Sequence, residues 1–88
     1  MEQEKIGKFI QEKRKEKNLK QSDLAEKLGV SNRAVSKWEN GLNMPDLSLF
    51  KPLCEILDIS INELMSGEEI KEKDYQKKLE ENIINVTE

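Results

Sequence analysis

Residues 21–41, QSDLAEKLGVSNRAVSKWENG, decide how this chain folds. The apolar residues among them are Leu24, Leu28, Val30, Val35 and Trp38. Leu24 and Leu28 stand one helical turn apart and share a face; Val35 and Trp38 share another. Ala25 lies beside the first stripe, where a small side chain lets a second helix come close. Gly29 follows Leu28, and a left-handed glycine ends a helix without steric cost. Ser31 then precedes a new periodic segment, as an N-cap does. The stretch predicts two short helices, about 21–28 and 32–39, joined by a tight turn. Asn40 and Gly41 stop the second.

Upstream, the stretch 3–17 predicts a helix with Ile6, Phe9 and Ile10 on its inner face and charge elsewhere. Lys13 falls next on that face, where its stem can lie on the core while its amine reaches water. Asn18 is expected as a left-handed helix end, with Leu19 plugging the core. Downstream, Asp46 is a natural N-cap for a helix of about 47–57 whose apolar face is Leu47, Phe50, Leu53, Cys54 and Leu57. Pro52 is the sixth residue of that segment; it removes one backbone bond and crowds Ser48, so the first turn should be irregular or the helix kinked. Ser60 and Glu63 form a capping-box pattern that opens a short fifth helix ending at Ser66 and Gly67.

The expected fold is all-α, five helices in a domain of residues 1–67, followed by a charged tail, 68–88. In that tail Tyr75, Leu79, Ile83 and Val86 can form one helical stripe, too short to define a coiled coil. The pattern leaves two readings open: a sixth helix docked on the domain or a symmetry mate, and a frayed linker.

Composition bounds the function. Eighty-eight residues suffice for one small domain. A single cysteine permits no internal disulfide and fits a reducing compartment. With no histidine, His-based metal sites and catalytic triads are excluded. There is no phosphate loop, no nucleophile beside a base and no paired carboxylates, so neither an enzyme nor a cofactor or metal is expected. No apolar run approaches the roughly 20 residues of a membrane span, and MEQEK lacks an apolar signal core. The expectation is a cytoplasmic chain without a membrane partner. Net charge is −3, but it is unevenly spread. Residues 1–67 hold 11 Lys/Arg against 11 Asp/Glu, and the tail holds 4 against 7. Within the first part, Lys13 to Lys20 carries five basic residues and one acid, and a local basic surface matters more to DNA than the total.

Helix, glycine turn, helix is the helix-turn-helix arrangement. The chain resembles the phage-repressor-like helix-turn-helix family, of the Cro and xenobiotic-response-element type. The residues that carry the resemblance are Gln21, Leu24-Ala25, Leu28-Gly29-Val30-Ser31, Val35 to Gly41 and Pro45-Asp46, continuing through Ile59 to Leu64. It covers about residues 5–66. It implies a lambda-repressor-like five-helix domain that binds double-stranded operator DNA as a homodimer and regulates transcription, in the manner of a repressor. Lys13 is a departure, since the family usually carries an apolar residue there.

The helix 32–39 would enter the major groove. Its outer residues Asn32, Arg33, Ser36 and Lys37 are donors or amphoteric, with no acid among them, which suits guanine edges and phosphates. Lys20 and Gln21, where the helix 21–28 begins, are candidates to hold a phosphate. Asn40 is open between a helix cap and a contact to the DNA backbone. The resemblance implies that Arg14 and Glu39 form a buried ion pair between the first and third helices; the plainer alternative is two surface charges. Trp38 reads as core. A competing class is a protein-interaction module, such as an antitoxin or accessory protein, and the acidic tail favours it.

Overall fold

The computed structural model describes residues 2–70; the apolar stripe of the tail lies outside them. Among the described residues there are five α-helices and no strands. They are Gln3–Glu16 (α1), Gln21–Leu28 (α2), Asn32–Glu39 (α3), Phe50–Leu57 (α4) and Ile61–Ser66 (α5). The core is made of Ile6, Ile10, Leu24, Ala25, Val35, Trp38, Leu53, Cys54, Leu57 and Leu64.

Local chemistry sets the helix ends. Asn18, at φ 58°, ends α1 in the left-handed region. The Leu19 N–H then reaches back to the Arg14 carbonyl at 3.1 Å and the Asn18 N–H to Lys15, the Schellman arrangement. Gly29, at φ 71°, closes α2. Ser31 Oγ accepts from the Ala34 N–H at 3.1 Å and opens α3. Ser60 and Glu63 exchange both capping-box bonds at the start of α5, at 2.9 and 3.0 Å.

Two expectations are corrected. Leu19 is only half-buried and lies outside the core; it directly follows the left-handed Asn18. Leu47 is 78% exposed rather than part of an apolar face. Leu47–Leu49 forms a 3-10 turn, whose tighter winding leaves the register of α4. This is the irregular first turn anticipated from Pro52. The α-helix proper starts at Phe50, so Pro52 becomes its third residue, where a missing N–H costs no intrahelical bond.

α1 crosses the end of α3 at very close range. A Cβ built on Gly7 would stand 2.2 Å from the Trp38 carbonyl oxygen, and one on Gly41 would meet the backbone of Glu4 at 2.9 Å. Along α1, three residues past Gly67 are tied down. Lys5 Nζ pairs with Glu68 at 3.1 Å, Lys13 Nζ with Glu69 at 3.5 Å, and the Ile70 N–H donates to Glu63 Oε2 at 2.9 Å. The structured contacts therefore run past residue 67. Lys13 also pairs with Glu16 at 3.2 Å, and its amine lies 5.6 Å from the Phe9 ring centroid. Burial alone would lower its pKa; Glu16 and Glu69 outweigh that and hold it above the usual lysine value.

Candidate nucleic-acid interface

α3 presents two unlike sides. Val35 and Trp38 are buried against α1 and α2, while Asn32 and Arg33 stand exposed at its start. Ser36 and Lys37 are half-buried one turn on, less open than their pattern suggested. The first turn of α3 holds no acid, so nothing on the helix itself offsets the partial positive charge of its N-terminus. The Cys54 thiol lies in the core away from this surface, with its pKa raised by burial and then by Glu63, which makes it a packing group.

The base of this surface is a buried polar unit. Arg14 Nε donates to Glu39 Oε2 at 2.7 Å and Arg14 Nη2 to Glu39 Oε1 at 3.0 Å. The two side chains are 8% and 1% exposed. Arg14 Nη1 donates to the Leu19 carbonyl at 2.7 Å, so one guanidinium joins the end of α1, the approach to α2 and the end of α3. No buried side-chain nitrogen or oxygen among the described residues lacks a partner.

The sequence concealed a third member. Gln21 Nε2 donates to Glu39 Oε1 at 3.0 Å, so the first residue of α2 is tied to the last residue of α3. Gln21 is half-buried rather than an open helix start, and one of its two amide hydrogens is spent inside the protein. Lys20 precedes it, exposed, with its backbone N–H held by Asp23 Oδ2 at 2.8 Å. Asn40 caps the end of α3 with its side chain: Nδ2 donates to the Ser36 carbonyl at 2.8 Å, with Ser36 Oγ a weaker partner at 3.4 Å.

With this geometry in place, comparison with known proteins is direct. The chain belongs to the helix-turn-helix family whose model matches residues 10–64. It is 44% identical over 61 residues to the HTH-type transcriptional activator BcrR of Enterococcus faecalis, covering 69% of this chain and 30% of that protein. It is 36% identical over 64 residues to the ImmF control region 10 kDa protein of Bacillus phage phi105, covering 73% and 71%. Against the HTH-type transcriptional regulator SinR of Bacillus subtilis it is 35% identical over 72 residues, covering 81% and 65%. Among solved structures, the restriction-modification controller protein C.AhdI from Aeromonas hydrophila matches with a TM-score of 0.63 and 33% identity, over 69% of this chain and 92% of that one. The chain thus spans under a third of the activator's length and nearly two thirds of SinR's.

Proposed function

We propose that this chain binds operator DNA and regulates transcription, with α3 in the major groove and α2 crossing the phosphate backbone above it. The observation that carries the reading is the acid-free outer side of α3, seated on the buried Arg14–Glu39 pair. Arg33 has the planar fork for guanine O6 and N7, and Asn32 can pair with adenine N6 and N7. Lys37, one turn from Arg33, takes a base or a phosphate, as does Ser36. Lys20 and the second amide hydrogen of Gln21 hold the backbone. We take residues 1–67 as the DNA-binding domain and 68–70 as its clasped exit.

An α3 of eight residues is about 12 Å long. It covers about four base pairs at ~3.4 Å each, too few to mark an operator. We therefore propose a homodimer on half-sites about 34 Å apart. Ile61 and Met65, exposed one turn apart on α5, offer apolar surface for it. Repression is the proposed sign, because filling an operator blocks polymerase by occupancy alone, and the cytoplasm is the proposed site of action.

The test is binding-site selection followed by titration of preferred and scrambled duplexes at several salt concentrations. Arg33→Ala should cost about 1–3 kcal/mol per half-site on the preferred duplex and flatten preference at one base pair. If Lys37 holds a phosphate, Lys37→Ala should lower the salt slope by about one. Equal losses for Arg33→Ala on both duplexes would remove it as a base reader. No binding at low salt would move the reading to a protein-interaction module.

A further inference from the structure

We infer that Glu39, beyond pairing with Arg14, positions the Gln21 amide for the DNA backbone; the inference rests on the function just proposed. The Arg14 fork already gives each carboxylate oxygen of Glu39 a donor. The bond from Gln21 is an additional one, and it comes from the side of the domain that carries Lys20 and the start of α2. A carboxylate only accepts, so the nitrogen of the Gln21 amide, not its oxygen, faces Glu39. The amide plane is thereby fixed. The second hydrogen on Nε2 and the carbonyl oxygen then take set positions at the head of α2. A glutamine in this place without such a partner would turn its amide over freely and offer a phosphate a donor for only part of the time. Glu39 is also the last residue of α3, so one carboxylate fixes both the aim of the backbone contact and its distance from the reading helix.

Two substitutions separate this role from mere support. Gln21→Met keeps the stem and removes the amide. Glu39→Gln keeps the shape, but its NH2 must face a donor nitrogen of Arg14 in either orientation and, when it stands in the Oε1 place, the Gln21 amide as well. Each single variant should weaken preferred and scrambled duplexes by the same factor, about tenfold to a hundredfold for one hydrogen bond to a charged group. The double variant should bind no more weakly than Gln21→Met alone, because Glu39 acts through Gln21. Losses that multiply in the double variant would overturn the inference. So would a Glu39→Gln loss confined to the preferred duplex, which is the mark of a displaced α3.

If Glu39→Gln fails to fold, the wild-type chain still decides. The two Nε2 protons of Gln21 give separate NMR signals, and added duplex should shift the one not held by Glu39. Movement of α3 backbone signals with both amide protons unmoved would overturn the inference. Wild-type protein that ignores DNA at low salt would instead remove the proposed function, and this inference with it.

Discussion

Gly7 is the residue on which the packing of α1 turns. A methyl group there would lie 2.2 Å from the Trp38 carbonyl oxygen and about 3 Å from the Glu39 backbone, neither of which is a flexible tip that can step aside. Alanine would favour the helix by up to ~1 kcal/mol. The clash outweighs that, and overpacking of this kind costs about 1–3 kcal/mol or more. Gly7→Ala should therefore lower stability in urea unfolding, whereas alanine at an exposed position of α1 such as Lys8 should not. Glu63 supplies a pH-dependent counterpart. Burial alone would raise its pKa, but the N–H groups of Ser60 and Ile70, the Ser60 hydroxyl and the charge of Lys13 outweigh this and hold it below the usual carboxylate value. A depressed carboxylate contributes stability above its unfolded pKa and loses it as pH falls through the folded value. Stability should thus decline on acidification below about pH 4, and Glu63→Gln should flatten that part of the curve of thermal midpoint against pH. Neither effect could be read from sequence in full. The Ser60–Glu63 spacing announces a cap, but the Ile70 bond depends on where the chain turns after Gly67. A glycine inside a helix signals only its cost, because the backbone that needs it lies some thirty residues away.

At the scale of elements, the Arg14–Glu39 pair holds α1 to α3. Removing one partner of a buried pair strands the other and costs about 3–5 kcal/mol, against about 0–1 for a surface pair. Glu39→Ala should fall in the upper range by chemical denaturation, since Arg14 would keep only the Leu19 carbonyl. Total stability of a domain is only about 5–15 kcal/mol, which is why the DNA experiments use Glu39→Gln. Helix limits were legible because the caps that set them are local: Ser31, Ser60, Asn18, Gly29 and Gly67 each act within a few residues of themselves. The Arg14–Glu39 placement came through family resemblance, not from periodicity, because two charges 25 residues apart reveal no contact by their spacing. Gln21 was singled out for its place at the head of a helix, and its inward bond stayed hidden for the same reason. Leu47 was misjudged because an α register was extended through a turn that Pro52 had already made irregular.

For the whole molecule, the clasp of residues 68–70 is worth a measurable amount. A chain ended at Gly67 lacks two ion pairs to α1 and the half-buried Ile70. The exposed pairs contribute up to about 1 kcal/mol each, and 1 kcal/mol shifts the midpoint of a 60–100-residue domain by about 4–8 °C. Chains ended at Gly67 and at Ile70 should differ by an amount of that order, the longer melting higher, and the gap should narrow in high salt as the pairs are screened. Equal midpoints at low salt would mean the clasp adds nothing. The composition of the tail announced only a solvated, acidic run; which lysines its first two acids meet is decided by the three-dimensional course of the chain. That course has a mechanical consequence. Lys5 and Lys13 sit eight residues apart on α1, about 12 Å along its axis, and each grips the departing chain. A tug from beyond Ile70 is shared between these two anchor points as by a yoke, instead of peeling α5 from its free end. The load reaches α1, and α1 bears on the end of α3 through the backbone contact at Gly7.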